Sequence, residues 1–226
     1  MRFFRRVAAY VRIARHARRN RADLHRWLVR RPAILGAVYG YEFGALVSNR
    51  VEPRLKHLAV LKTSSLIGCA FCLDLGSAFG TAMGIEERQL AELGRYQESA
   101  AFDEVERLVL DLAVAMSTTP TSVTDDLREA LLGHFTRGQL TELASAVAWE
   151  HHRARLNRAL GIRAMGFSDD GACVLPEARE HPPIPGTVAE GRSTRAEQAV
   201  IENAEQGRLP GALGAQPASS LSGRVR

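Results

Sequence analysis

The chain contains little cysteine, no long apolar run and, over its first 31 residues, almost no acid. Each shortage removes a class of protein. Three cysteines in 226 residues, Cys69, Cys72 and Cys173, cannot build the disulfide framework of a small secreted domain, because one thiol would be left over. The charged start Met1-Arg2-Phe3-Phe4-Arg5-Arg6 is not followed by a continuous apolar stretch, so no signal peptide is expected. The most apolar early segment, 33–47, is short for a membrane span and includes Glu42. No segment alternates apolar and polar residues as a half-buried strand does, which excludes the strand–helix setting of a thioredoxin fold. There is no second CxxC and no short Cys/His pair to mark a four-ligand zinc site. A reducing cytoplasm is the expected location, and there a cysteine pair is reactive rather than structural.

What the chain does have is helical periodicity. With 46% hydrophobic residues it can bury a substantial core as one domain with tails. Residues 2–19 place Phe3, Val7, Tyr10, Val11 and Ala14 on one side of a helix, with Arg5, Arg12, His16 and Arg19 on another. A short helix at 22–29 stops before Arg31-Pro32, and Pro32 suits the first position of the next. There Gly36, Gly40 and Gly44 recur every fourth residue, a face that predicts close packing of this helix in the core. Pro53 opens a helix with Leu55, Leu58, Ala59, Leu61 and Leu66 as apolar members, interrupted at Gly68. Helices follow at about 70–83 and 86–93. Asp103 with Glu106, and Thr136 with Gln139, are capping-box pairs; Thr124 caps the helix between them, and Gly161 closes the last, long one. From Met165 the periodicity fades. Residues 186–226 are rich in Gly, Ser, Ala, Pro, Gln and charge, and cannot offset the entropy of ordering. The fold class is all-α: a basic amphipathic arm at 1–31, a helical domain at 32–175, and an extended, disordered tail at 176–226.

Charge is segregated along the chain. Residues 1–31 hold eleven arginines against Asp23, a balance of +10 that leaves −5 for the remainder. The high pI therefore belongs to the arm, and no nucleic-acid partner is expected for the core. The arm can dock its Phe3/Val7/Val11 face on the domain, or lie on an anionic membrane surface.

Cys69-Ala70-Phe71-Cys72 is the strongest sign of chemistry. Two sulfurs one helical turn apart can cycle between dithiol and disulfide. Gly68 breaks the preceding helix, which puts Cys69 at or just before a helix N-terminus, where unpaired N–H groups and the dipole favour a thiolate. Two other readings stay open. Cys69, Cys72 and Cys173 with one of His57, His151 or His152 could bind zinc, or the cysteines could be inert core thiols.

The run Pro53-Arg54-Leu55-Lys56-His57-Leu58-Ala59-Val60-Leu61, followed by Gly68-Cys69-Ala70-Phe71-Cys72-Leu73-Asp74-Leu75-Gly76, resembles the carboxymuconolactone decarboxylase family, and within it the alkyl hydroperoxidase D branch. Glu150-His151-His152-Arg153-Ala154-Arg155-Leu156-Asn157-Arg158-Ala159-Leu160-Gly161-Ile162 and Gly166-Phe167-Ser168 are similar to the C-terminal part of one subgroup. The resemblance spans about residues 50–175. It implies an all-helical fold assembling into trimers or hexamers, with two cysteines that reduce peroxide or relay electrons. It also implies a proton relay from a glutamate twelve residues before the first cysteine and a histidine four residues after the second. Those places hold His57 and Gly76 here. His57, with an ordinary pKa near neutrality, is expected either as a base of the site or as a satisfied core histidine; Gly76 cannot move a proton.

Glu150, beside the apolar run 143–149, is expected either as a buried acid facing the thiols or as a partner of Arg153 or Arg155. Asp74 is an acid near the thiols or a solvated helix position. His151 and His152 suit a surface or subunit contact, and Cys173 is a third thiol or an idle one. The chain thus reads as a cytoplasmic, oligomeric thiol-redox protein. Its catalytic residues are Cys69, Cys72, His57 and Glu150, with no cofactor and no metal. Its partners are a peroxide or related small molecule and a thiol/disulfide reductant. The alternatives are a non-enzymatic oligomeric binding or scaffold protein of the same fold, or a lactone decarboxylase-like enzyme, a branch that lacks this CxxC.

Overall fold

Side-chain oxygens set where the later helices begin. Asp103 accepts from the Glu106 amide at 2.8 Å while Glu106 accepts from the Asp103 amide at 2.9 Å, closing the predicted capping box. Thr124 accepts from the Leu127 amide, and Thr136 from the Gln139 amide, with Gln139 accepting in return from Thr136. Pro32 and Pro53 open two earlier helices. Gly68 and Gly161 take left-handed conformations, φ +73° and +67°, where two others stop.

The computed structural model describes residues 22–168 together with Val174 and Glu177. Its helices are α1 (Ala22–Leu28), α2 (Pro32–Val47), α3 (Pro53–Ile67), α4 (Ala70–Ala82), α5 (Glu87–Glu92, continued by a 3-10 turn at Leu93–Arg95), α6 (Glu104–Ser117), α7 (Asp125–His134) and α8 (Arg137–Ala159). Among the described residues there is no strand, and no helix is long and apolar enough to cross a membrane. The predicted helix at 2–19, Cys173 and the expected tail 176–226, apart from Glu177, lie outside the described residues.

Helix α3 is the axis of the domain, packed against α6 and α8 on one side and α4 on another. It feeds two apolar clusters. Leu58 and Leu61 join Leu73, Leu90, Leu93, Phe102 and Leu110; Ala59 joins Val109, Leu112, Leu143 and Val147. Its C-terminal half also buries Lys62, Thr63, Ser64 and Ser65. Buried polar groups need partners, and each of these has one. Thr63 donates to the Ala59 carbonyl and Ser64 to Glu150. Lys62 donates to Glu177 at 2.6 Å and lies 4.6 Å over the Tyr96 ring; Ser65 also donates to Glu177. Packing thus extends to Glu177, within the stretch expected as tail, and Val174 sits in the first cluster.

Helix α2 corrects one expectation. Its Gly36, Gly40 and Gly44 were expected to bring it close to a neighbour in the core, yet no residue of α2 is buried. A Cβ added at any of the three glycines would meet nothing within 4 Å. The spacing of small residues shows that close packing is allowed, not that it occurs. Helix α2 is instead tethered to α8 at one turn. Tyr41 stacks on Trp149 with centroids 4.1 Å apart and donates to the Ser145 carbonyl, and Glu42 accepts from Trp149 Nε1 and from Arg153. Between α2, α3, α4 and α8 lies a cleft of about 710 Å³.

Candidate functional site

The Cys69–Cys72 pair sits at the junction of α3 and α4. Gly68 turns the chain out of α3, and its amide and that of Cys69 both close on the Ser64 carbonyl, at 2.9 and 3.1 Å. Cys69 is therefore the N-cap of α4, and its sulfur accepts from the Cys72 amide at 3.2 Å. The two sulfurs are joined in a disulfide, with Cα atoms 5.2 Å apart. Their exposure differs: Cys69 is 1% exposed, while Cys72 is half-buried.

The last turn of α8 closes the other side. Asn157 donates to Cys72 Sγ at 3.5 Å, and Arg158 donates to the Gly68 carbonyl at 2.5 Å. The α4 N-terminus, with Cys69 as its N-cap, favours negative charge on sulfur once the bond is reduced. Among the described residues no three His, Cys, Asp or Glu side chains are grouped to hold a metal ion.

His57 projects from α3 toward α4. Its Nε2 lies 2.6 Å from the Gly76 carbonyl, which can only accept, so Nε2 carries the proton. Burial lowers its pKa from 6.5 to about 4; the bond to Gly76 opposes the shift and the Arg153 charge adds to it. This overturns the expectation of a base titrating near neutrality: at pH 7 His57 is a neutral donor.

Gly76 packs closely on Leu61 of α3. A Cβ at 76 would come within 2.8 Å of Leu61 Cδ2 and within 4.0 Å of His57 Nε2. A side chain at 76 would require Leu61 to shift, while its Cβ would make only ordinary contact with His57. The resemblance places an imidazole at 76 on α4; here the α3 residue His57 reaches the carbonyl of Gly76. His57, Val60, Phe79, Met83, Trp149 and Arg153 line the cleft; neither cysteine is among its lining residues.

Glu150 is 2% exposed. It accepts from Ser64 Oγ at 2.6 Å and pairs with Arg153 at 2.6 Å. Burial raises its pKa, with Arg153 and Ser64 opposing. It thus meets the serine whose carbonyl holds the Cys69 amide, and of the two arginines it takes Arg153.

Asp74 is buried, not solvated. It accepts from the Met165 amide at 2.7 Å and from the Ser168 amide and hydroxyl at 2.9 Å. Burial alone would raise its pKa, but the amides of Met165, Phe167 and Ser168 and the Ser168 hydroxyl together hold it below the ordinary carboxylate range. Its task is to pin the segment after α8 over α4, where Phe167 meets Phe71 edge-on. His152 is exposed and stacks on Trp149, and His151 contacts Ser117.

Ser64, Asn157 and Arg158 were not singled out in the sequence. For Asn157 a signal existed: Glu150, Ala154 and Asn157 follow the i, i+4, i+7 spacing of one helix face, and all three are buried.

The comparisons with known proteins agree with this architecture. The model of the carboxymuconolactone decarboxylase family matches residues 32–115. The uncharacterized protein YnjA of Escherichia coli (strain K12) is 33% identical over 161 residues, 68% of this chain and 82% of the relative. Among solved structures, ATU0492 of Agrobacterium tumefaciens, a protein of unknown function proposed as an antioxidant defence protein AhpD, is 25% identical with a TM-score of 0.58. That match covers 62% of this chain and 95% of the other. An uncharacterized peroxidase-related protein from Ralstonia eutropha JMP134, with an alkylhydroperoxidase AhpD core, matches at 20% identity and a TM-score of 0.57, covering 70% and 85% of the two chains.

Proposed function

The chain belongs to the carboxymuconolactone decarboxylase family, in its AhpD-like branch, and from that premise we propose that it is a thiol-dependent oxidoreductase that reduces hydroperoxides through Cys69 and Cys72. One observation carries the reading: the two sulfurs are bonded at a helix N-terminus with Cys72 half-buried and Cys69 closed off. Exposure reverses the order that helix-end electrostatics alone would favour. Cys72 meets the substrate and Cys69 resolves.

Cys72, as thiolate, attacks the terminal oxygen of the hydroperoxide. The O–O bond breaks, the departing alkoxide takes up a proton to become an alcohol, and Cys72 carries a sulfenic acid. The Cys69 thiolate, favoured by the α4 N-terminus, then attacks the Cys72 sulfur. The S–S bond forms and hydroxide leaves as water. A dithiol reductant restores both thiols by exchange, itself becoming a disulfide. An electron relay to another thiol protein uses the same cycle without the peroxide step. Glu150 acts through Ser64 as a positioning residue for the Cys69 end, and His57 as a neutral donor on the cleft floor. The reductant and the reduced thiols suit a cytoplasmic setting.

The protein acts as an oligomer, a trimer or hexamer as its resemblance implies. Helix α2 supports this by exposing Ile34, Tyr39, Phe43, Leu46 and Val47, an apolar surface unusual for a monomer.

The test separates the two sulfurs. Reduced Cys69→Ser and Cys72→Ser variants are exposed to an alkyl hydroperoxide in the presence of dimedone. Cys69→Ser should trap a sulfenic acid adduct on Cys72, and Cys72→Ser should give none. An adduct confined to Cys69 would reverse the assignment, and no adduct in either variant would remove the peroxidase reading.

A further inference from the structure

The sulfur that the proposed cycle exposes has one side-chain donor whose contact is poorly matched to the oxidised state. Asn157 is 4% exposed, and its Nδ2 faces Cys72 Sγ at 3.5 Å. A buried amide N–H normally takes an oxygen acceptor, and disulfide sulfur is a weak one. A thiolate is a full anion and accepts far more strongly. The same N–H therefore stabilises the reduced, ionised sulfur more than the disulfide.

The placement is rigid. Asn157 lies on the inward face of α8 with Glu150 and Ala154, its backbone carbonyl accepts from the Ile162 amide at 2.9 Å, and the adjacent Arg158 holds the Gly68 carbonyl. The turn that carries the donor is fastened by its own C-terminal bond and to Gly68, the residue before Cys69.

We propose that Asn157 is a positioning residue that holds the Cys72 sulfur as a thiolate in the reduced protein and so sets how readily the pair is oxidised. This rests on the thiol-redox reading above. The loss of one such hydrogen bond, on the order of 1 kcal/mol or somewhat more, corresponds to roughly tenfold in an equilibrium constant.

The experiment follows the pH dependence of Cys72 alkylation by iodoacetamide in reduced full-length protein, read by peptide mass spectrometry, for wild type, Asn157→Leu and Asn157→Asp. Leucine is close in size and lacks the donor; aspartate keeps the shape and adds a like charge. Asn157→Leu should move the Cys72 profile up by about one pH unit and slow alkylation roughly tenfold at neutral pH. Asn157→Asp should do at least as much. In glutathione buffers held at a pH above the Cys72 titration of both proteins, where the reduced pair is ionised, the leucine variant should favour the disulfide about tenfold more than wild type, or ~30 mV.

An unchanged profile and an unchanged glutathione equilibrium in a folded variant overturn the proposal. Where one variant fails to fold by circular dichroism, the other decides. Where both fail, Asn157→Ala is read in their place, and a wild-type Cys72 titrating at the ordinary cysteine value of ~8.5 overturns the proposal. The underlying reading fails separately: wild-type protein that never closes the Cys69–Cys72 disulfide in oxidised glutathione is no redox pair, whatever Asn157 does to the Cys72 profile.

Discussion

His57 makes the stability of this protein acid-sensitive in a way that can be isolated. Its imidazole titrates at about 4 in the folded chain, against 6.5 when free. A folded pKa below the unfolded one means that, between those values, unfolding takes up a proton. The contribution of this residue is complete above about pH 6.5 and is lost as pH falls toward 4. At 1.36 kcal/mol per unit the shift bounds the loss at about 3 kcal/mol, with about 2 kcal/mol reached by pH 5. His57→Gln keeps an N–H donor for the Gly76 carbonyl and does not titrate. Urea unfolding of the oxidised proteins at about pH 7.5 and pH 5 gives the comparison. Wild type should lose about 2 kcal/mol more than the variant over that interval. Equal losses would refute the neutral imidazole. The same reasoning predicts no step near pH 6.5 in the rate of thiol alkylation, contrary to a base poised at neutrality.

Three further substitutions probe the supports of the site. Glu177→Ala strands the buried Lys62 ammonium and should lower the stability of the domain by roughly 3 kcal/mol in urea unfolding; a loss near zero would show that Glu177 does not secure α3. Asp74→Asn replaces a carboxylate that accepts from Met165 and Ser168, and should cost about 1–3 kcal/mol and remove hydrogen-exchange protection from those two amides. Because the Asp74 pKa is depressed, its contribution stands above the free aspartate range and disappears as pH falls through the folded value; protected amides in the variant would contradict this. Glu150→Ala should slow disulfide closure by about tenfold, the equivalent of one lost buried hydrogen bond, and Glu150→Gln, which still accepts from Ser64, should restore most of the rate; equal rates in both would detach Glu150 from the site.

The parts of this molecule written in local chemistry were legible in its sequence. The capping boxes at Asp103 and Thr136, the proline starts at 32 and 53, and the glycine stops at 68 and 161 each depend on residues within one turn of each other. The N-cap position of Cys69 follows from Gly68 in the same way. What depended on the other side of a helix was not legible. The glycine stripe of α2 fitted a buried helix as well as an exposed one, and the tertiary contacts of Tyr41 and Glu42 decided between them. Glu150 and Arg153 could be paired from their spacing, but Ser64 stands 86 residues from Glu150. The depressed titration of His57 required knowing that its ring is desolvated against α4 and faces the Arg153 charge. Asn157 lay in view on the face of Glu150, with nothing to say that Cys72 was opposite.

The most direct test of the central claim is a single-turnover count of thiols. Fully reduced wild-type protein is mixed with one equivalent of an alkyl hydroperoxide, and free thiols and the Cys69–Cys72 peptide are followed by quenching and mass spectrometry. The account predicts that each hydroperoxide consumed removes two thiols and leaves that peptide lighter by two hydrogens. Hydroperoxide consumed with Cys69 and Cys72 still free, or both thiols surviving unreacted, would contradict it.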